Sequence, residues 1–430
     1  MIPQPLSGGA QTLAELSTYA PQSPAQTTAR RSGWPQPWAF VLMPLPYGVF
    51  LGYVQTALPW LLRQAGFSVD RIGAIESLIL APMALYFLWS PLVDFWLRRR
   101  TWMVLLAAMS AAMLAAAILT LNAHPQLATW TLLAGFAVNL LTTSCGGALI
   151  ALTLDEPGRA QAAAWMQGGM LAAQALGGAL LLYLARRLST AETAVCAALL
   201  VAAPALIALT IGERAPQGST EDLWLTVKAM GREIRATLFA WKSLPALLLL
   251  VSPVGTAAAQ SLFAAMAREY RVGEGGVLLL NGLLGGVLTM LGAFAAVIVP
   301  AHWDRRIAYA GSGLLCAVSG VFLAVAPLSP WAYYAGVALY MFSSGACYAF
   351  FLGVVMVALG EAGKSASSRY TILVSLGNLP VVYMTRLEGW GYGVFGARGV
   401  PALDAAGNLL VAVATAVWIA VTLARRRQKA

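Results

Sequence analysis

Charge is what this chain has least of. Only 10% of its 430 residues are Asp, Glu, Lys or Arg, against about 25% in soluble domains, which excludes an ordinary water-soluble fold. Histidine is nearly missing: His124 and His302 are the only two, and both fall in stretches expected to be loops. Paired carboxylates, an HExxH run and Ser/His or Cys/His sets are all lacking, so neither catalysis nor a metal or other cofactor is expected. The four cysteines, Cys145, Cys196, Cys316 and Cys347, lie in apolar segments without metal-type spacing and read as small packing residues. The first 33 or so residues lack an apolar core of the signal-peptide kind, being rich in Gln, Ser, Pro, Ala and Thr.

What fills the chain instead is hydrophobic sequence, 59% of it, with mean hydropathy +0.73. Apolar stretches of ~20 residues recur, each long enough for a hydrocarbon core of ~30 Å. The spans are predicted at 38–62, 72–94, 101–121, 128–151, 161–185 and 190–212 in the first half. The second half gives 243–265, 275–300, 306–327, 330–357, 369–388 and 405–424, with Gly389 to Asn408 as a long glycine-rich connection before a short last helix. The expectation is an all-α polytopic membrane protein of about twelve transmembrane helices in two six-helix bundles, 37–212 and 243–424. Residues 1–36 and 425–430 are expected as cytoplasmic tails. Residues 213–242 alternate charged and apolar positions at helical spacing, as an amphipathic linker helix on the membrane surface would.

Net charge is +10, and its placement decides its meaning. Nineteen of the 27 Lys and Arg fall on the side that holds the N-terminus and eight on the other. That bias puts both termini in the cytoplasm, in an inner membrane, and accounts for the basic balance without nucleic acid. The lipid bilayer is therefore an expected partner and nucleic acid is not; a monomer is expected.

A charged knot occurs twice, 210 positions apart: Asp94 with Arg98, Arg99 and Arg100, and Asp304 with Arg305 and Arg306. The same hinge in each half suggests two copies of one unit, and in this the chain resembles the major facilitator transporters. The run Phe87-Leu88-Trp89-Ser90-Pro91-Leu92-Val93-Asp94, followed by Arg98-Arg99-Arg100, resembles the AmpG-like branch, whose pattern is FLWAPLVD and then an RRR-type run. Glu156-Pro157-Gly158-Arg159 leading into Gln167-Gly168-Gly169, and Ser367-Ser368-Arg369-Tyr370 through Asn378-Leu379-Pro380, are similar to further stretches of that branch.

The resemblance implies secondary transport by alternating access, proton-driven, of muropeptide-, siderophore- or other amphipathic metabolite-like solutes. Two departures stand out. Where relatives carry an acidic pair in span four, this chain has Thr142-Thr143-Ser144-Cys145-Gly146-Gly147; and Ala173-Gln174 replaces the Gly-Pro of the antiporter motif in span five. A scaffold that keeps the fold without transporting, and a drug or metabolite exporter, stay open as alternatives.

Few ionisable groups lie within the spans, and each is a candidate for function. A cytoplasmic gate is expected from Asp94, Arg98, Arg99 and Arg100 against Arg369 at the start of span eleven. A periplasmic gate, or the proton-coupling group, is expected from Glu76 with Arg386. Glu76 and Asp94 are 18 residues apart, five helical turns, so they share a face. The cavity is expected to be lined by Tyr47, Tyr53, Gln55, Asn139, Gln260, Tyr340, Ser343, Ser344, Tyr348 and Asn378, with Gln167, Gln174, Asn281 and Tyr383 flanking. That set is uncharged, aromatic and hydrogen-bonding, which suits a neutral or amphipathic solute rather than a small ion.

Overall fold

The structure is a computed structural model that describes residues 35–213, 228, 231–232, 234–235, 244–295, 299, 304–359 and 366–427. Residues Pro37–Ala430 form one compact unit, and among its described residues there is helix and no strand. In the first half α1 is Pro37–Gln64, α2 Val69–Leu88, α3 Arg99–Thr120 and α4 Pro125–Thr153. Helix α5 is Glu156–Arg187 and α6 Thr190–Thr210. The second half has α7 Leu244–Leu250, α8 Ala259–Met266, α9 Glu274–Ala295, α10 Arg305–Val325 and α11 Pro330–Leu359. Helices α12, Ala366–Phe395, and α13, Gly399–Arg427, complete it.

Among the described residues ten stretches are long and apolar enough to cross a membrane, the last of which takes in both α12 and α13. Helices α7 and α8 are two pieces of the seventh crossing. Six crossings per half result, as the hydropathy pattern predicts.

Local chemistry starts these helices where they start. Pro125 opens α4, where its missing N–H costs nothing. Asp155 Oδ1 accepts the Gly158 N–H at 3.1 Å to cap α5. Ser189 and Glu192 make a reciprocal box at the start of α6. Within the bilayer, small residues rather than hydrophobic burial bring helices together. A Cβ on Gly178 of α5 would lie 2.5 Å from the Gly52 carbonyl oxygen of α1, so the glycine there is needed for that contact.

Two expectations are corrected. The seventh crossing is not a continuous helix over 243–265: it breaks between α7 and α8, with Gly255 and Ala257 at φ +54° and +56°. Each backbone group freed by a break inside a membrane needs a partner, and other crossings supply them. The Tyr383 and Tyr309 hydroxyls donate to the Val251 and Val254 carbonyls at 2.9 and 2.8 Å. Asn408 Oδ1 accepts the Gly255 N–H at 2.9 Å.

The second correction concerns Gly389 to Asn408, which is mostly helix. Only Gly396–Arg398 separates α12 from α13. The glycines there serve packing, since a Cβ on Gly391 would come 3.0 Å from the Gly399 carbonyl oxygen.

Of the expected linker helix, residues 228, 231–232 and 234–235 are described, and all are helical. The rest of that segment from 214, both tails beyond 34 and 427, and Lys364 lie outside the described residues.

The halves meet where α1 and α2 pack on α8, α2 on α12 and α5 on α9. The last two are exchanged by relabelling each crossing as its counterpart six crossings away, as two copies of one unit require.

Candidate functional site

A cavity of about 640 Å³ lies between the halves, and its walls come from both. It runs from mid-depth, at Gln55 and Asn281, to the end of the bundle that carries Asp94, Tyr370 and Thr371. Irregular backbone positions its deepest groups. Gln55 sits in the π-turn Tyr53–Ala57 of α1, and Asn281 in the π-turn Leu278–Leu283 of α9, where Gly282 leaves helical geometry. Such turns rotate a side chain out of the helical register. The break between α7 and α8 adds Gly255, Thr256 and Ala257.

The polar groups on the wall hold one another in place. Gln174 Nε2 donates to Gln55 Oε1 at 2.6 Å, and Gln167 Nε2 donates across the halves to the Tyr348 hydroxyl at 3.2 Å. Tyr348 stacks on Phe351, with ring centroids 6.1 Å apart. Thr143 and Ser144, where an acidic pair was the expectation from the resemblance, line the cavity, the Thr143 hydroxyl donating to the Leu140 carbonyl of its own helix at 2.7 Å. Asp94, at the mouth, is the one charged residue among the described lining.

Of the ten residues expected on the wall, Tyr47, Gln55, Gln260, Ser344, Tyr348 and Asn378 are there, joined by the flanking Gln167, Gln174 and Asn281. The other four are not on the wall. Asn139 donates to Ser110 Oγ at 2.9 Å and to the Pro46 carbonyl at 3.2 Å. Tyr340 donates to Asp404 Oδ1 at 3.0 Å, Ser343 to its own helix at Leu339, and Tyr53 is wholly buried. Depth along a span is legible in sequence, but a rotation of 100° per residue decides which wall a side chain meets.

At the Asp94 end, Asp94 is held by a contact inside the first half. Arg99 donates to Asp94 Oδ1 from Nε at 3.0 Å and from Nη2 at 2.7 Å. The chain folds back at Trp96, at φ +65°, which brings the two together. Glu213, absent from the sequence expectation, accepts the Arg99 and Arg100 backbone N–H groups at 3.1 Å each. Its carboxylate thereby satisfies free donors at the N-terminus of α3. Arg100 donates to the Ile211 carbonyl at 3.2 Å, and Arg98, the N-cap of α3, is exposed. Arg369 lies at the start of α12, next to the lining residue Tyr370.

At the opposite end three ion pairs cross between the halves. Arg63 of α1 meets Glu269 beyond α8 at 2.5 Å, and the Tyr392 hydroxyl of α12 joins both. Arg186 of α5 meets Glu274 of α9 at 3.2 Å. Arg386 of α12 meets Asp70 of α2 at 2.9 Å.

The expected pairing of Arg386 with Glu76 is therefore corrected. Asp70 lies six residues nearer the helix start, within reach of an outward-pointing arginine, while Glu76 is sealed in the interior, 0% exposed. Both Glu76 oxygens lack a hydrogen-bond donor, and Ser261 of α8 is the polar side chain facing them.

Comparison with known proteins agrees with this architecture. The family described as Major Facilitator Superfamily matches residues 40–382. The chain is similar in fold to a POT family transporter in complex with 5-aminolevulinic acid, with TM-score 0.68, 9% identity, and coverage of 89% of this chain and 95% of that one. It is likewise similar to the nucleoside transporter NupG, with TM-score 0.64, 14% identity and coverage of 88% and 98%. For a D-xylose-proton symporter the figures are 0.62, 13%, 87% and 96%. No curated protein matches significantly.

Proposed function

This chain belongs to the major facilitator superfamily, a transporter and not an enzyme, and on that premise we propose that it carries an uncharged or amphipathic organic solute across the cytoplasmic membrane by alternating access, coupled to protons. The observation that carries this is the cavity wall: amides, hydroxyls and aromatic rings from both halves, with one carboxylate at the mouth. Such a lining offers hydrogen bonds and apolar area to a neutral body, and among its described residues there is no cationic clamp for a polyanion. The AmpG-like motifs point toward muropeptide- or siderophore-like solutes, and the hydroxyls of Thr143 and Ser144 toward a member with its own specificity.

Lysine and arginine placement makes the Asp94 end cytoplasmic. The cavity then opens inward, and the three cross-half ion pairs close the periplasmic side. Glu76, sealed between those pairs and the cavity, is the coupling carboxylate supported by its isolation.

Thermal stabilisation of the purified protein by muropeptide fragments, siderophores and CoA thioesters tests the site, because a ligand of the native state raises apparent stability. A stabilising solute is expected to lose its effect in Gln174→Leu and in Ser344→Leu. Stabilisation that survives both substitutions would move binding off this cavity. Uptake of that solute into proteoliposomes under an imposed pH gradient tests the coupling, and uptake indifferent to the gradient would remove it.

A further inference from the structure

Away from the cavity, two carboxyl groups meet inside the second half. Glu388 of α12 and Asp404 of α13 are 0% and 1% exposed, and neither lines the cavity. Both Asp404 oxygens face donors, the Tyr340 hydroxyl at 3.0 Å and Asn408 Nδ2 at 3.2 Å. Neither Glu388 oxygen has one, and the group directed at it is the Asp404 carboxyl. Ionised carboxylates are acceptors only, so two of them hold each other only through a proton.

The surroundings supply no other neutralising charge. The titratable groups facing the pair are Tyr340 on α11 and Cys316 on α10, which in turn touches Cys347 of α11 at 3.6 Å. Among the described residues that face it there is no Lys or Arg.

Asn408 decides what the pair holds. Its Oδ1 accepts the Gly255 N–H at 2.9 Å, which fixes the amide orientation and turns the NH2 group toward Asp404. A metal ion there would meet a donor in place of an oxygen, whereas a proton completes the set. Gly255 belongs to the break between α7 and α8 and lines the cavity. One chain of contacts therefore runs from Glu388 through Asp404 and Asn408 to the cavity wall.

We propose that Glu388 and Asp404 form a proton-binding site that holds one shared proton, and that its occupancy is transmitted through Asn408 to the broken seventh crossing. Loss of the proton leaves two like charges in contact, and turning Asp404 away removes one of the two bonds on the Asn408 NH2 group, the 3.2 Å bond to the side chain beside the 2.9 Å bond to the Asp404 backbone carbonyl, which loosens the amide that holds Gly255. The site's role rests on the proton-coupled transport proposed above; its occupancy does not.

Infrared difference spectra of the full chain in lipid vesicles, recorded on stepping the pH without solute, read the proton directly. A protonated-carboxyl band is expected that disappears in Glu388→Gln and shifts in Asp404→Asn, where the acceptor of the proton changes from carboxylate to amide. If Glu388→Gln fails to fold, Asp404→Asn alone decides. A spectrum unchanged by the substitutions would overturn the site. Loss of gradient-driven uptake in Glu388→Gln supports its role, while wild-type uptake indifferent to pH would remove that role and leave the band standing.

Discussion

At the Arg63 end three ion pairs pass from one half to the other, whereas the pairs described at the Asp94 end, Arg99 with Asp94 and Glu213 and Arg306 with Asp304, each join groups of the same half. Charge is thus used in two ways at the two ends. At one it ties the halves together, so its loss alters which conformation is populated. At the other it finishes helix ends, so its loss alters how stable each half is. The cavity extends toward the second end, away from the end where the described cross-half pairs lie.

Reversing one charge at the tied end is the strongest test of that difference. Arg63→Glu places a carboxylate against Glu269, whose Oε2 is already buried without a donor, and like charges in contact cost several kcal/mol. We predict a shift of roughly a hundredfold toward the state open at this end, about 2.8 kcal/mol. Spin labels at Ala65 and Gly273 would report it as a longer distance, and adding Glu269→Arg should bring the short distance back. A distance that stays short in the single variant would mean the pair does not hold this end.

Glu213→Ala should do the opposite: a loss of about 1–2 kcal/mol of stability, with the Ala65–Gly273 distance unchanged. The two backbone donors at the start of α3 and Arg99 lose a carboxylate that is only 3% exposed. The readout is the apparent melting temperature of the purified protein. A lengthened distance in this variant would break the division between the ends.

Sequence made one side of this comparison visible and not the other. The basic clusters, the twelve crossings and the doubled knot follow from hydropathy and charge, which act along the chain. Glu269, Glu274 and Tyr392 stand close to Arg63 and Arg186 only because the halves pack, and nothing in their own surroundings marks them. The pairing of Arg386 with Asp70 in place of Glu76 is a matter of helical depth, too fine for span boundaries uncertain by a turn. Asp404 and Asn408 were obscured differently: glycine-rich sequence reads as connection, yet Gly391 and Gly399 are packing positions. The break at Gly255 depends on Tyr309, Tyr383 and Asn408 from three other crossings, so it has no local signature.

A weaker effect is predicted for Asp70→Asn. Its pair with Arg386 is 40–49% exposed, and pairs in that setting contribute about 0–1 kcal/mol. The open population should rise no more than about fivefold on that energy. If Asp70→Asn instead matches Arg63→Glu in the label experiment, the end is held mainly at its rim. Combining Glu76→Arg with Arg386→Glu should not restore transport, because those two side chains do not meet.

The smallest effect compares the two knots themselves. Asp304 caps its own helix, accepting the Arg306 N–H at 2.9 Å, whereas Asp94 precedes a helix whose cap is Arg98. Asp304→Ala should therefore cost about 0.5–1 kcal/mol, the lower part of the range for a lost cap, while Asp94→Ala should cost less, removing only an exposed pair. The hydrogen bond from the Arg306 side chain, ahead of the backbone bond and charge of the same residue, holds the Asp304 carboxyl below the ordinary carboxylate range. A group lowered on folding stabilises fully above its unfolded value of ~3.9 and ceases to do so as pH falls through the folded value. The deficit of Asp304→Ala should accordingly be present at neutral pH and vanish in strong acid, where the wild-type carboxyl is protonated too. Melting temperatures measured at both pH values check it, and a deficit of equal size in acid would show that the side chain acts there by packing and not by charge.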